Sequence, residues 1–335
     1  MRIYLPLYAL LILTLISCGT NKPAPYRKIA GFTQGTTFHI TYEDKANEDL
    51  SGNVDSIFKA FDLTFSEYIP NSIVSRINQN DSTVLLDDMF IEVYNKSVEI
   101  NKETDGAFDL TVGPLVNAWG FGPEKKVKID SSRIDSLLQY VGMEKIRLEG
   151  RKLDKKLPGI KIDVNSIAQG YCVDVVYRYF ESLGIKNFMV EIGGEVRTKG
   201  KNPMADFWRI GVDKPVEGNN VAGENLQTII LLDNQAVTTS GNYRKYFEEN
   251  GQKFSHIIDP HTGYPYKNNL LSVTVIAKDG LTADGYDTPL MVLGLEGARR
   301  FLKQHPELQG YMIYSDKTGQ FKVEYTRGIH FDKED

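Results

Sequence analysis

An α+β fold with mainly antiparallel sheets packed against helices is the class this sequence predicts, and three observations predict it. Helix-period and strand-period stretches are interspersed along the chain. Several strand pairs follow one another as hairpins with no crossover helix, which argues against a doubly wound parallel sheet. No proline- or glycine-rich linker and no internal repeat divides the chain, so one domain over residues 29–330, with room for two lobes, is expected. The 335 residues, 41% hydrophobic and 25% charged, are ordinary for a globular protein with a full core. A formal net charge of -5, without a basic run interleaved with aromatics, argues against nucleic acid as a partner.

The beginning of the chain reads as an address. Met1 and Arg2 make a short basic start, residues 5–16 are apolar, and Ser17 and Cys18 follow. The apolar run is short for a bilayer span, so residues 1–17 are expected to be a secretory signal. A small residue directly before a cysteine resembles a bacterial lipobox. By that resemblance Cys18 is the lipidated first residue of the mature chain, and residues 18–28, with Pro23 and Pro25, are a tether. The competing reading is an ordinary signal peptide with an incidental cysteine. Each buried acyl CH₂ contributes roughly 0.8 kcal/mol, so a multiply acylated Cys18 would hold the protein at the cell envelope, facing the periplasm. Gly19 favours the outer membrane where the host uses that sorting rule. Cys172 is then the remaining thiol, no disulfide forms within one mature chain, and Cys172 is expected in the core.

Each element follows from its own pattern. Residues 36–43 alternate as a strand. Ile57, Phe58, Phe61 and Phe65 recur at helical spacing from Val54 onward. A helix over 87–102 turns Met89, Val93, Tyr94, Ser97 and Ile100 inward and stops before Asp105 and Gly106. Residues 131–140 predict a short helix and 145–148 a strand. The clearest helix is 166–183, with a stripe of Cys172, Val175, Val176, Tyr179 and Leu183 closed by Gly184. Strands are expected at 187–192, 207–212 and 227–232. Residues 243–248 and 252–258 flank Asn250 and Gly251, a hairpin signal. A strand at 271–277, helices from Thr282 and over 296–304, and strands at 310–315 and 321–326 complete the chain.

The stretch 281–294, LTADGYDTPLMVLG, carries the sharpest chemistry. In the first turns of a helix, Asp284, Asp287 and Thr288 fall at i, i+3 and i+4 on one face. Two carboxylates and a hydroxyl make a cluster of hard oxygen donors, suited to Mg²⁺ or Ca²⁺ rather than zinc. With Thr282 as N-cap, plain acidic capping of a first turn is the competing explanation.

Other polar clusters are weaker alone. In FSEYIPNSIVSRIN, Tyr68 lies between a helix end and Pro70, placed either to protrude and stack on a flat ring or to join the core. GAFDLTVGP reads as a turn and short strand, with Asp109 between apolar neighbours, where a carboxylate must be paired, hydrogen-bonded or functional. Asp163 opens DVNSIAQGY just before the long helix, as part of a ligand site or as a cap. VEIGGEV brings paired glycines to a strand end, where backbone approaches a ligand; it is neither a dinucleotide fingerprint nor a P-loop. SHIIDPHTGYP holds His256, Asp259 and His261 around a turn, and a histidine there serves as a general base or as a structural group.

Taken together, GAFDLTVGP, DVNSIAQGYCVD, VEIGGE, TSGNY, SHIIDPHTGYP and TADGYDTPLMVLG, in that order, resemble the ApbE family of flavin transferases. The likeness runs from about Gly31 to Tyr325. It implies binding of FAD and use of Mg²⁺, with transfer of the FMN half to a threonine hydroxyl of an acceptor flavoprotein and release of AMP. Redox-driven membrane pump subunits are the implied acceptors. The resemblance places the metal on Asp284, Asp287, Thr288 and the backbone oxygen of Ser166. It places flavin contacts on Gln34, Tyr68, Ala107, Phe108, Asp109, Asp163, Gln169 and Ile258, and makes His256 the acceptor's base. Gln34 stands where many members have Met, Gln169 where many have Lys, and Ser166 where others have Gly, Ala or Thr. Hydrolysis of FAD to FMN and AMP on the same site, or flavin binding without chemistry, are the alternatives.

Overall fold

A computed structural model describes residues 25–124, 129–216, 218–219, 223–242, 246–249 and 252–332. The expected leader, Cys18 and most of the tether lie outside these residues. In chain order the elements are β1 (Tyr26–Thr33), β2 (Thr36–Glu43), α1 (Ser51–Phe65), α2 (Ile73–Asn78), α3 (Asp88–Glu103), α4 (Gly113–Trp119), α5 (Ser131–Leu138), β3 (Ile146–Glu149), β4 (Lys152–Lys155), α6 (Ala168–Ser182), β5 (Phe188–Ile192), β6 (Glu195–Lys199), β7 (Trp208–Asp213), β8 (Leu226–Leu232), β9 (Ala236–Gly241), β10 (Tyr246–Glu249), β11 (Gln252–Ser255), β12 (Leu270–Ala277), α7 (Gly280–Gln304), β13 (Gln309–Ser315), β14 (Phe321–Tyr325) and β15 (His330–Phe331).

Eight strands form the main sheet in the order β1-β2-β5-β6-β9-β12-β13-β14. Each neighbouring pair in it is antiparallel, as the hairpin-rich pattern predicts. The centre of this sheet is buried on both faces, which is why β12 reads as an almost unbroken apolar and β-branched run. Alternation then sorts its residues. Val273, Val275 and Met312 join the large core shared with α1, α3, α6 and α7. Ile276, Tyr311 and Ile313 face the opposite way, toward Trp208, Val212, Ile230 and Leu232 of the small β15-β8-β7 sheet. A third cluster gathers Leu115, Trp119, Ile134 and Ile258 under the loops near α4 and α5. The fold is α+β, as expected.

Several local expectations change. β1 begins at Tyr26 and so takes residues assigned to the tether. Residues 107–112 form turns rather than a strand, and Pro114 lies in the first turn of a helix, α4, that follows them. Leu183 is 46% exposed, because α6 ends before it. The inward stripe runs instead through Cys172, Val173, Val176, Tyr177 and Phe180, with Tyr177 and Phe180 against Phe188 of β5. The two late helices are found as expected, running on as α7 across a break at Gly294, whose φ of 68° and ψ of 177° leave the helical region. There Asn268 donates its side-chain amide to the carbonyl of Met291 at 2.9 Å, covering a group the break sets loose.

Candidate active site

α7 starts where two aspartates receive its first amides. Asp279 accepts from Thr282 N at 2.8 Å and is the N-cap, so Thr282 lies inside the helix. Asp174, fully buried on α6, accepts from Gly280 N and Leu281 N, each at 2.8 Å, and is paired with Arg197 at 2.7 Å. The helix therefore has its cap upstream, and its first turn holds no acid. Asp284 and Asp287 sit deeper, so the capping explanation for them falls away.

The two helices touch through glycines. A Cβ on Gly170 would stand 2.3 Å from the carbonyl oxygen of Gly280 and 2.5 Å from the Cβ of Asp284. That approach brings Gly170 N to 2.7 Å from Asp284 Oδ2, which accepts its hydrogen bond. Burial is the main reason the Asp284 carboxyl is pushed up to about 7, with the Asp174 charge adding to it. Asp287, 2% exposed, is pushed well above the ordinary carboxylate range by burial first and by Asp284 second. Thr288 Oγ1 lies 3.2 Å from Asp287 Oδ1 and 3.2 Å from Ser240 Oγ of β9. The Thr238 hydroxyl, also on β9, lowers the Asp287 value in part without closing a regular hydrogen bond.

Two adjoining carboxyls are thus buried side by side, and the largest influences on them include no cation. Such a pair is costly unless a positive charge or a proton joins it. Two carboxylates with neighbouring hydroxyls suit Mg²⁺, which keeps further positions for water and phosphate oxygens. Among the described residues no group of three or more His, Cys, Asp or Glu forms a metal cage. Two carboxyls and a hydroxyl are too few donors to enclose a hard cation by themselves. Ser166 lies in the turn before α6, two residues ahead of its first helical residue, with its carbonyl outside the helical ladder.

The remaining predicted residues line up around the start of α6. Gln34 holds the left-handed turn between β1 and β2 at φ 51° and directs Nε2 to Cys172 Sγ at 3.1 Å. Gln169 packs over Gly193 of the β5–β6 turn, where a Cβ would stand 2.2 Å from its Nε2. Asp163 N donates to Leu110 O at 2.8 Å, which joins the DVNS loop to the GAFD loop. Its Oδ1 accepts from Asn165 N and Nδ2 at 2.8 and 2.9 Å, so Asp163 closes a turn of its own loop instead of capping α6. Asp109 accepts from Thr111 N, Thr111 Oγ1 and Met143 N at 2.7, 2.5 and 3.0 Å, which settles how a buried acid is tolerated there. Ala107 and Phe108 beside it are buried, and Phe108 O accepts from Asn101 Nδ2 at 2.7 Å.

Tyr68 protrudes, 71% exposed, from the turn after α1, and so belongs to the surface rather than the core. Glu67 turns inward and feels Asp163 and Glu124. Three residues before Glu124, Phe121 meets the half-buried ring of His256 edge-on at 6.2 Å between centroids. His261 is bound differently: its Nε2 lies 2.8 Å from Asp105 O and its Nδ1 3.2 Å from Asp259 Oδ1. Ile258 is buried, bridged to Pro265, under the same turn. A cavity of about 260 Å³ lined by Tyr42, Lys45, Leu183 and Lys186 involves none of these residues. Asp174, Glu67 and Thr238 were not singled out from sequence. Only the acid ending DVNSIAQGYCVD gave a signal, for Asp174.

The ApbE family model matches residues 34–312. An FAD:protein FMN transferase of Haemophilus influenzae is 38% identical over 92% of this chain and 91% of its own. One of Vibrio cholerae is 40% identical over 84% and 86%. The solved flavin transferase ApbE from Vibrio cholerae superposes with a TM-score of 0.81 at 36% identity, covering 91% of this chain and 98% of that one. The apbe protein from Thermotoga maritima does so with a TM-score of 0.77 at 28% identity, over 89% and 96%. With the matched region spanning every element from β2 through β12 and the whole of α7, this chain belongs to the ApbE family.

Proposed function

We propose that this chain takes FAD together with Mg²⁺ and moves its FMN half onto a threonine hydroxyl of an acceptor protein. The coarser activity, transfer of FMN from FAD to protein, is that of its relatives and is the activity of this chain. The observation that carries the finer reading is the buried Asp284–Asp287 pair, two acids whose main influences include no cation, beside the start of α6. Asp284, Asp287, Thr288 and the Ser166 carbonyl would hold the ion. When bound it would neutralise charge on the diphosphate. The protein's share is positioning. Tyr68 offers an exposed ring for the flavin to stack on, while Gln34, Ala107, Phe108, Asp109, Asp163, Gln169 and Ile258 shape the walls.

The reaction breaks the bond between the FMN phosphorus and the oxygen that leaves with AMP, and forms one from that phosphorus to the threonine Oγ. The hydroxyl proton goes to His256. A threonine is a poor nucleophile at neutral pH, so a positioned base is worth about 10²–10⁴-fold. We also place the protein in the bacterial envelope, held by lipid on Cys18 with residues 29–330 as the working domain. Acceptor subunits of membrane redox pumps are then within reach. Among the described residues no helix is long and apolar enough to cross a membrane.

The deciding experiment incubates the protein with FAD, Mg²⁺ and a candidate acceptor, then weighs the acceptor by mass spectrometry. An added FMN on threonine supports the proposal. Rapid release of FMN with no mass gained by the acceptor makes the chain a hydrolase, and intact FAD makes it a carrier.

A further inference from the structure

Glu67 is an acid that the reading above does not use. The turn that holds it is fixed: Ser66 Oγ accepts from Tyr68 N and Ile69 N at 3.2 Å each, and Ser75 Oγ donates to Ser66 O at 3.1 Å. This turn sends Tyr68 out to solvent and Glu67 in toward the DVNS loop. There Glu67 Oε1 accepts from Asn165 Nδ2 at 3.2 Å. Asn165 Nδ2 is shared, since Asp163 Oδ1 accepts from it as well at 2.9 Å.

The loop is tied at its start by Asn78, whose side chain accepts from Ile162 N at 2.7 Å and donates to Ile162 O at 2.9 Å. Its end runs into α6. Glu67 holds the middle through Asn165, the residue directly before Ser166. We propose that Glu67 is a positioning residue that ties the turn presenting Tyr68 to the loop presenting the Ser166 carbonyl, so that one side chain sets the spacing between flavin and metal. The inference rests on the roles given above to Tyr68 and Ser166.

The grip needs an acceptor oxygen and tolerates no second negative charge. Asp163 is beside it, and Glu124 adds to the repulsion. Burial first, then Asp163, pushes the Glu67 carboxyl up to about 9, so it holds its proton at neutral pH. Glutamine has the same shape and the same acceptor as that neutral acid, and alanine has neither.

The test compares Glu67→Ala and Glu67→Gln with the parent chain in two measurements that need no turnover. The first is calorimetric titration with Mg²⁺ alone. The second is hydrogen exchange of the amides at 163–167 in the metal-free protein. Glu67→Ala is expected to weaken Mg²⁺ about tenfold or more, the scale for removing a group that orients a ligand. It is also expected to speed exchange at 163–167, while FAD affinity without Mg²⁺ changes less than about twofold. Glu67→Gln is expected to restore both. Unchanged Mg²⁺ affinity and unchanged exchange in Glu67→Ala would overturn the proposal, as would Glu67→Gln behaving like alanine. Asp284→Ala runs alongside. If it binds Mg²⁺ as the parent does, the metal reading itself has failed; if it loses Mg²⁺ while Glu67→Ala does not, only the role of Glu67 has.

Discussion

Gly170 gives its backbone N–H to Asp284 Oδ2 at 2.7 Å, across 114 positions of sequence. The bond exists because Gly170 and Gly280 let α6 and α7 come together at their backbones. A methyl group at 170 would meet a carbonyl oxygen at 2.3 Å, and helix backbone has no side-chain rotation with which to yield. Gly170→Ala should therefore force the helices apart, at about 1–3 kcal/mol in urea unfolding. The displacement moves Asp284, so turnover should require more Mg²⁺ than in the parent. Parent-like values in both measurements would show that the contact is slack.

Asp174 sits at the other side of the same junction. Its carboxylate satisfies two amides of α7 and the Arg197 guanidinium, which also lies 3.8 Å from the centroid of the Tyr177 ring. Asp174→Ala strands a largely buried cation and two helix amides together. The expected loss is about 3–5 kcal/mol, read from chemical denaturation. Asp174→Asn keeps an oxygen for one amide and should lose less.

The contrast between these residues shows what the sequence could and could not reveal. Asp284, Asp287 and Thr288 were legible because helical spacing alone places them on one face. The cap was misplaced because threonine, serine and aspartate all serve at that position, and Asp279 stood three residues ahead of Thr282. The role of Asp174 was hidden for a different reason. It caps a helix that begins 106 residues later, and no local pattern encodes a partner that far away. α4 was missed because GAFDLTVGP reads as a turn and short strand, although its proline suits the first turn of a helix. The sheet class survived these errors, since hairpin connections and strand alternation are local.

Glu67 should leave a mark on stability as well as on binding. Its ordinary value is 4.5 and its folded value is about 9. With the folded value raised, its contribution is whole below about pH 4.5 and is lost as pH rises toward 9, because the unfolded chain ionises first. Glu67→Gln has no proton to lose. The variant should melt with the parent near pH 4.5 and a few degrees above it near pH 8.5; partial exposure to water holds the difference to that scale. A melting difference that stays flat between these pH values would mean that Glu67 ionises normally in the folded chain.

His256 and His261 share one segment and should part ways under mutation. His261 reaches from the Asp259 turn to the carbonyl of Asp105, tying SHIIDPHTGYP to the loop that carries Ala107, Phe108 and Asp109. Removing it deletes its contacts with Asp105 O and Asp259 at an exposed place, so His261→Ala should cost about 1 kcal/mol in unfolding. Its effect on the reaction should be a weaker hold on FAD, with the rate at saturating FAD nearly kept. His256, edge-on to Phe121, has its proposed work in proton removal. His256→Ala should fold and bind FAD as the parent does, yet transfer FMN about 10²–10⁴-fold more slowly. Raising the pH should recover part of that loss, because hydroxide in bulk water then takes over the proton. Single-turnover transfer rates beside FAD titrations separate the two patterns, and equal transfer rates in His256→Ala and His261→Ala would remove His256 from the role of base.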